Sequence, residues 1–289
     1  MHQCTCGLTP SAKLVLETRL ERNVLRCVET PCSYEEVLGL TLEILEELRD
    51  LGNEVYVMFS GGRDSLVLLD LSRKVLRDVR AVYVEVTGNT HEKNREYVYR
   101  IVKMLGIELI HLKRNEYEFY ERVCKWGWPG PGRRWCMTEF KRKPIESFFR
   151  CRSPAAMVLV GVKAWDSPRR RKYIINDGVA YRSSWGTVVV RPILHWTREH
   201  VITYIKEVGL HDNPLYAELG ESGNCVYCPF IMDGRYYLNL RIRYPEWYRK
   251  IEAVEKIVRN GTPFVSGPRR FTLNQLIQRS FSGSSTTSC

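Results

Sequence analysis

The sequence predicts an α/β fold: a doubly wound, mostly parallel sheet with helices on both faces, followed by a helical, loop-containing C-terminal region with a Cys-x-x-Cys motif. Two observations predict it. Short apolar runs alternate with longer stretches in which apolar residues recur every three or four positions, the pattern of strands alternating with amphipathic helices. Glycine-containing turns separate them, and such alternation is typical of a parallel sheet with right-handed crossovers.

The predicted elements follow one another along the chain. The helices are expected at residues 11–28, 35–51, 66–71, 91–105, 197–208 and 234–259, the last as one or two helices. The strands are expected at residues 55–59, 82–86, 107–112 and 157–160. Gly52 and Gly106 end two of the helices, because glycine readily adopts the backbone conformation that follows a helix. Residues 126–136 mix glycine, proline and tryptophan, which excludes regular structure there.

Composition divides the chain into four parts. We expect a cysteine-containing N-terminal segment at residues 1–35, a nucleotide-binding α/β domain at residues 36–215, a helical region with the Cys-x-x-Cys motif at residues 216–279, and a disordered Ser/Thr-rich tail at residues 280–289. An insertion at residues 116–150 interrupts the second part. Long insertions in compact domains are usually functional.

Composition and charge narrow the class of protein. Apolar residues make up 44% of the 289 residues and charged residues 27%, as in ordinary globular domains. No run approaches the roughly 18 apolar residues that span a bilayer, and the N-terminus does not resemble a secretory signal, so we expect a cytoplasmic protein with no membrane partner. The net charge of +11 favours polyanionic partners such as tRNA or DNA, although a generally basic proteome would give the same charge.

A glycine-rich turn lies between the first predicted strand and the helix after it. Its residues are Ser60, Gly61, Gly62, Arg63, Asp64 and Ser65. The two glycines let the backbone turn tightly and present N–H groups to an anion, and the helix N-terminus favours phosphate. The serine hydroxyls can donate to phosphate oxygens, Arg63 offers a cation, and Asp64 can hold Mg²⁺ or brace the loop. A purely structural Gly-Gly turn is the alternative.

This turn resembles the PP-loop, SGGxDS, of the ATP pyrophosphatase superfamily. It is not a Walker A loop, because no Gly-Lys-Ser/Thr follows at the required spacing. The resemblance implies that ATP is cleaved between its α and β phosphates, so that a nucleophile is adenylated and pyrophosphate leaves. It makes Asp64 and Arg63 candidate catalytic residues. Arg63 stands where Lys is common, and its planar guanidinium differs from a point charge.

Further segments resemble the phosphoadenylylsulfate (PAPS) reductase family, in the family's order. Thr87 and Gly88 end the second predicted strand and resemble its nucleotide-contacting Thr-Gly segment. Residues 134–144 resemble its Arg/Cys…Lys…Pro element, in which Lys141 is the lysine and a third candidate catalytic residue.

A third segment, residues 161–170, resembles the family's G-x-R-x-x-E-S-x-x-R element. Lys163 replaces its first Arg, Asp166 replaces its Glu, and Arg170 is retained. An Asn-Pro-Leu-Tyr segment before the Cys-x-x-Cys motif completes the pattern. The resemblance implies that Lys163, Arg170 and Lys141 meet phosphate, sulfate or a nucleic-acid backbone. As isolated residues they would be read as solvated surface charges.

Three of the 10 cysteines form a candidate metal site. Cys225 and Cys228 bracket a turn with the spacing of a metal-binding knuckle. Cys136 lies in the insertion, whose family counterpart lies near the nucleotide. Three cysteines suit a [4Fe–4S] cluster with one open iron, or zinc with a fourth ligand. A redox-inert or disulfide-bonded Cys-x-x-Cys motif is the alternative.

Two resemblances give this set different roles. Reductases of the bacterial adenylylsulfate type have two adjacent cysteines besides the Cys-x-x-Cys motif, and here Trp135 stands in the place of one of them. PP-loop enzymes that thiolate tRNA resemble the chain in having three cysteines, and their open iron can hold a sulfide. Cys124, Cys151, Cys4 or Cys6 could supply a fourth ligand.

A Cys-x-Cys motif lies near the N-terminus. Cys4 and Cys6 could build a separate metal knuckle with Cys27 and Cys32, and free thiols or a disulfide pair are the alternative. Because no secretory signal is recognised, a disulfide framework is not expected.

Three functions remain open. The first is a PP-loop enzyme that adenylates a substrate with pyrophosphate release in sulfur transfer, with nucleic acid as one acceptor. The alternative is a sulfonucleotide (PAPS or adenylylsulfate) reductase that releases sulfite. The third is a non-catalytic member that binds nucleotide or nucleic acid. The resemblance implies ATP or a sulfonucleotide as ligand. Mg²⁺ is a candidate cofactor, and a protein that donates sulfur or electrons and a second copy in a homodimer are candidate partners.

Overall fold

The predicted α/β fold, with a mostly parallel sheet, is confirmed. The computed structural model describes residues 18–51, 54–116, 118–130, 132–150, 152, 156–258 and 271–282. The strands are β1 (Val55–Met58), β2 (Val79–Val84), β3 (Glu108–Leu112), β4 (Met157–Leu159), β5 (Ala180–Arg182) and β6 (Val188–Val190). They form one sheet in the order β3-β2-β1-β4-β6-β5. Strand β1 pairs in parallel with β2 and β4, and β4 with β6, whereas β5 is antiparallel to β6.

Helices separate most of the strands. They are α1 (Thr18–Glu29), α2 (Tyr34–Arg49), α3 (Arg63–Val75), α4 (Glu92–Leu105), α5 (Phe119–Trp126), α6 (Lys143–Arg150), α7 (Pro168–Asp177), α8 (Arg198–Val208), α9 (Leu215–Leu219), α10 (Gly234–Arg243), α11 (Pro245–Ile257) and α12 (Leu273–Ser282). A π-helix covers Met137–Arg142 and a short 3₁₀ turn covers Ala164–Asp166. In the part of the chain that is described, no helix is both long and apolar enough to cross a membrane.

The predicted strands match β1 to β4, with one shift. Strand β2 spans Val79–Val84 rather than residues 82–86, because Arg80 interrupts the apolar run at the start of the strand. Strands β5 and β6 were not predicted. Each has three residues, which is too short for a recognisable sequence pattern. They are strands because β6 pairs with β4 and β5 pairs with β6.

Two other predictions need correction. Residues 280–282 belong to α12, so the disordered tail predicted from residue 280 is wrong there; residues 283–289 lie outside the described part. Helical structure resumes at Trp135 within the stretch predicted to be irregular, and the Trp135 ring stacks on Phe119 and contacts Trp126. The predicted N-terminal helix is seen from Thr18 onward, and residues 11–17 lie outside the described part.

The chain forms two compact units that alternate along the sequence. Unit 1 contains Met1–Tyr83, Val98–His111 and Ile145–Asp212, and unit 2 contains Val84–Tyr97, Leu112–Pro144 and Asn213–Cys289. The division into four parts drawn from composition stays a prediction. Unit 1 holds most of the sheet, whereas the core of unit 2 is rich in aromatic rings. Its buried aromatic residues are Phe119, Tyr120, Trp128, Trp135, Phe140, Tyr227, Tyr236, Tyr237, Trp247 and Tyr248.

A buried histidine in unit 1 makes stability depend on pH. His195 is 0% exposed; its Nε2 lies 3.0 Å from the Val37 carbonyl oxygen, and among the described residues its Nδ1 has no partner. Burial lowers its pKa from 6.5 to about 4. The folded chain therefore holds the neutral ring, whereas the unfolded chain binds a proton near pH 6.5.

We expect this histidine to reduce the free energy of unfolding as the pH falls. Its contribution is complete above about pH 6.5 and is lost toward pH 4, which amounts to about 2 kcal/mol between pH 7 and pH 5. Urea unfolding at the two pH values measures the loss, and a His195→Gln variant, which keeps a donor for Val37, should lose about 2 kcal/mol less. Equal losses in the two proteins would contradict this assignment.

Candidate functional site

The glycine-rich turn adopts the conformation that an anion-binding loop needs. Gly61 has φ 79°, a left-handed conformation that favours glycine, and α3 begins two residues later. The Ser65 hydroxyl donates to the Gly62 carbonyl oxygen at 2.8 Å and accepts from the Ser60 N–H at 3.2 Å. Gly62 precedes α3 and makes no side-chain cap to the helix, whose N-terminus is the kind of position that favours an anion.

A second glycine segment packs directly against this turn. A Cβ atom at Gly161 would lie 3.2 Å from the carbonyl oxygen of Asp64 and 3.2 Å from the nitrogen of Ser65. The backbones therefore approach too closely for a side chain without a shift. This contact brings the segment that carries Lys163 to the start of α3.

A chain of alternating charges begins at Asp64. The Lys163 ammonium lies 2.5 Å from an Asp64 oxygen and 2.9 Å from an Asp166 oxygen, and Arg170 pairs with Asp166 in turn. Lys163 is 3% exposed. Burial raises the pKa of the Asp64 carboxyl, although Lys163 opposes that shift. Sequence analysis placed Lys163 and Arg170 at the nucleotide; the structure places both against carboxylates of unit 1, and their contact with phosphate stays a prediction.

Arg63 has a partner that the sequence did not indicate. Its Nε donates to an Asp212 carboxylate oxygen at 2.8 Å. The two residues are far apart in sequence, and no motif marks Asp212. The guanidinium is therefore held in a fixed position at the first residue of α3, and its predicted role as a phosphate clamp stays a prediction.

The predicted Thr-Gly contact belongs to unit 2. Gly88 has φ 79°, and a Cβ atom there would lie 3.0 Å from two atoms of the Glu118 side chain. The Thr87 hydroxyl donates to the Arg114 carbonyl oxygen at 2.5 Å. Both residues are thus constrained by the loop that leads into α5. Nucleotide contact by Thr87 and Gly88 remains a prediction.

The three candidate ligand cysteines surround a lysine in unit 2. Cys136, Cys225 and Cys228 are half-buried free thiols. Cys136 precedes the π-helix, whose wide turn places Lys141 one turn after it. The Lys141 ammonium donates to the Cys225 sulfur, and the negative charge of Cys225 is the main cause that raises the pKa of Lys141, with smaller effects from Cys228 and Cys136. Burial raises the pKa of Cys136 and of Cys228 to about 11.

The spacing of these sulfurs bears on the two groups predicted to bind there. Among the described residues, the one set of three possible ligand atoms lying within 4.8 Å of one another is that of Cys27, Cys32 and Glu36. The three site cysteines are therefore spread more widely. Tetrahedral zinc would hold its thiolates about 3.8 Å apart. A [4Fe–4S] cluster is larger and separates its thiolates further, and which of the two groups binds here stays a prediction.

The other cysteines do not complete this set in the described structure. Cys27 and Cys32 form a disulfide with a Cα–Cα distance of 5.2 Å, which agrees with the disulfide pair kept as the alternative to a metal knuckle, and these sulfurs are unavailable to a metal in this form. The turn between α1 and α2 brings them together. Cys124 is an exposed free thiol. The remaining cysteines lie outside the described residues: Cys4, Cys6, Cys151 and Cys289.

Asn89 holds the turn between the two cysteines and was not predicted from the sequence. Its Nδ2 donates to the Tyr227 carbonyl oxygen, its Oδ1 accepts from the Tyr227 N–H, both at 2.9 Å, and its own carbonyl accepts from Val226 at 2.7 Å. The Tyr120 hydroxyl also donates to Oδ1, at 3.2 Å. Asn89 is 1% exposed. Val226 and Tyr227 are the residues between Cys225 and Cys228, so this side chain fixes the conformation of the motif.

We expect Asn89→Asp to loosen the Cys-x-x-Cys turn. The isosteric carboxylate keeps the acceptor for Tyr227 N–H but sets an oxygen against the Tyr227 carbonyl, a buried mismatch of about 1–3 kcal/mol. Iodoacetamide should then label Cys225 and Cys228 several-fold faster relative to the exposed Cys124, as measured by mass spectrometry of the metal-free protein.

A matched control is Asn213→Asp, also in unit 2. Asn213 is 1% exposed, and its amide bonds Asn94 and the Ser222 carbonyl, outside the motif. Its labelling ratio should stay at the parent value. If Asn213→Asp raised the ratio as much as Asn89→Asp, the effect would be general destabilisation and not positioning of the turn.

Comparisons with known proteins bear on the whole arrangement. A family model described as "Phosphoadenosine phosphosulfate reductase domain" matches residues 54–231, which include the glycine-rich turn and all three site cysteines. The "Adenosine 5'-phosphosulfate reductase" of Lysinibacillus sphaericus is 26% identical over 215 residues, which cover 69% of this chain and 85% of that protein.

Other similar proteins are more distant or longer. "Uncharacterized protein MJ0066" of Methanocaldococcus jannaschii is 29% identical over 226 residues, which cover 77% of this chain and 45% of that protein. The chain thus spans about half the length of the archaeal relatives it matches. The crystal structure of a PAPS reductase from Candida auris is 18% identical with a TM-score of 0.46, covering 71% of this chain and 94% of that one. The family match covers more than half of the chain and confirms the resemblance drawn from the motifs: the chain belongs to the phosphoadenosine phosphosulfate reductase family.

Proposed function

We propose that the chain is a PP-loop enzyme that adenylates its substrate, releases pyrophosphate and acts in sulfur transfer. The observation that carries this proposal is the turn of residues 60–65, closed by Ser65 and backed by Gly161, with the partly buried Asp64 beside Lys163. Such a turn offers backbone N–H groups and a helix N-terminus to a phosphate chain.

The chemistry assigned to these residues is nucleotidyl transfer. An oxygen nucleophile of the substrate attacks the α-phosphorus of ATP, the bond between that phosphorus and the bridging oxygen breaks, and pyrophosphate leaves with the electron pair. The N–H groups at the start of α3 would bind the leaving phosphates. Asp64 would hold Mg²⁺, which neutralises the charge that develops on them, and Lys163 keeps the carboxylate oriented.

The cysteine site supports the sulfur-transfer part of the proposal. Cys136, Cys225 and Cys228 would hold a [4Fe–4S] cluster, with zinc as the weaker candidate because of the sulfur spacing. With three cysteine ligands, one iron of such a cluster stays open to a sulfide. Lys141 offsets the negative charge of the thiolates and so favours three of them at one place.

A sulfonucleotide reductase is the second candidate function. The adenylylsulfate reductases among the relatives favour it, since the match covers 85% of one of them. Trp135 argues against this function. It stands beside Cys136, at the position where reductases of the bacterial adenylylsulfate type have a second cysteine. A non-catalytic nucleotide-binding member is the third candidate, and the closed phosphate turn disfavours it.

One pair of assays separates these functions. Anaerobically purified protein is incubated with ATP, Mg²⁺, sulfide and bulk tRNA as the substrate that offers the oxygen nucleophile, and pyrophosphate is measured. In parallel it is incubated with adenylylsulfate or PAPS and a dithiol, and sulfite is measured. Pyrophosphate without sulfite supports the first function. Sulfite release would replace it with the second, and binding of nucleotide without either product would leave the third.

A further inference from the structure

The insertion that carries Cys136 is strongly basic. The segment Leu112–Pro144 contains more than twice as many Lys and Arg as Asp and Glu residues. Part of this charge is compensated locally. Lys143 pairs with Glu139 at 2.6 Å, and Arg114 pairs with Glu116 at 2.7 Å.

Three exposed cations close to Trp126 and Cys136 are not compensated in this way. Lys125, Arg133 and Arg134 are exposed, and none of them forms an ion pair with a carboxylate of the described residues. Arg133 instead donates to the Trp126 carbonyl oxygen at 2.9 Å, which places its guanidinium beside the residue that follows Lys125. Exposed cations without carboxylate partners are available to an anionic ligand.

An exposed aromatic ring adjoins these cations. The Arg134 guanidinium lies 5.1 Å from the centre of the Phe230 ring, and that ring is 54% exposed. Phe230 is two residues after Cys228, and Arg134 is two residues before Cys136. We call Lys125, Arg133, Arg134 and Phe230 the basic rim. It therefore flanks the cysteine site within unit 2.

We propose that the basic rim binds single-stranded RNA and presents it to the cysteine site. Phosphates would lie on the three cations, and an unpaired base would stack on Phe230. Single strands are favoured over duplexes because a base must leave its own stack to reach an exposed ring, and stacking on aromatic or Arg planes is the usual way in which unpaired bases are held. The inference deepens the proposed function, on which it rests, by naming RNA as the class of sulfur acceptor.

Binding is tested with the full chain and a short fluorescent single-stranded RNA of mixed sequence, without ATP or metal, at several salt concentrations. The variant Lys125→Gln/Arg133→Gln/Arg134→Gln should bind more weakly at low salt. The slope of log affinity against log salt should become shallower by about 2, since each phosphate contact on a single strand contributes about 0.7.

A matched control removes three exposed cations of unit 1. It is Arg169→Gln/Lys172→Gln/Lys206→Gln, which carries the same charge change and includes the competing basic stretch of α7. It should keep the parent's salt slope. Circular dichroism of both variants checks that they remain folded.

A third variant separates stacking from charge. Phe230→Ala should weaken RNA binding about tenfold. The affinity for inorganic polyphosphate, measured by competition, should stay at the parent value because polyphosphate has no bases to stack.

Three results would overturn the proposal: no binding of RNA by the parent at low salt, an unchanged slope in the rim variant, or an equal loss in the α7 control. If the parent did not bind RNA at low salt, an acidic protein would become the favoured ligand of the basic rim. The binding assay uses neither nucleotide nor cluster, so it is independent of the proposed reaction. If the protein bound RNA but released no pyrophosphate, the proposed reaction would be refuted and the basic rim would still be an RNA-binding surface.

Discussion

Asp64→Ala is expected to reduce nucleotide turnover by a hundredfold or more while the fold remains. The change removes the carboxylate proposed to hold Mg²⁺ against the leaving phosphates, and loss of one such electrostatic contact costs about 10²–10³ in rate. The fold should persist because Lys163 keeps its second partner, Asp166, at 2.9 Å. Pyrophosphate release, or sulfite release from a sulfonucleotide, measures the effect.

Two controls make this result specific to the site. Asp50→Asn removes a carboxylate of unit 1 whose side chain is 80% exposed, and it should leave the rate unchanged. Asp64→Asn keeps the size of the side chain and removes only the charge, so it should be as inactive as Asp64→Ala. A folded Asp64→Ala protein with the parent's rate would remove Asp64 from the reaction.

The turn of residues 60–65 could be predicted because its signal is local. Glycines, hydroxyls and a carboxylate lie in six consecutive positions between an apolar run and a helical one, so chain order alone places them together. The same holds for α8, whose start at Thr197 follows from a side chain that accepts a hydrogen bond from His200.

Residues that act through distant partners could not be predicted. Asp212 meets Arg63 across 149 positions, and Asn89 meets Tyr227 across 138. Neither pair forms a pattern in the sequence. A single Asn or Asp occurs in many structural environments, and the tertiary structure determines which distant residue it contacts. The short strands β5 and β6 were missed for the same reason, since their pairing, and not their composition, makes them strands.

Cys136→Ser is expected to lose most of the metal bound by the parent. Cys136 is separated from the Cys-x-x-Cys motif by the rest of the insertion, strands β4 to β6 and helices α7 to α9, so only the fold brings the three sulfurs near Lys141. Two thiolates without the third form a weak site, because each ligand contributes a large share of the binding free energy. Iron, acid-labile sulfide and zinc are measured after anaerobic purification and after reconstitution.

The matched control for this change is Cys124→Ser, which removes an exposed free thiol of the same unit. It should keep the parent's iron and sulfide, and with them the broad absorption of an iron–sulfur cluster. The metal and sulfide contents then decide the identity of the group: about four iron and four sulfide per chain in the parent indicate a [4Fe–4S] cluster, and zinc without sulfide indicates a single ion. If Cys136→Ser retained the full metal content, Cys136 would not be a ligand, and Cys225 and Cys228 would return to a thiol-redox or structural role held in place by Asn89.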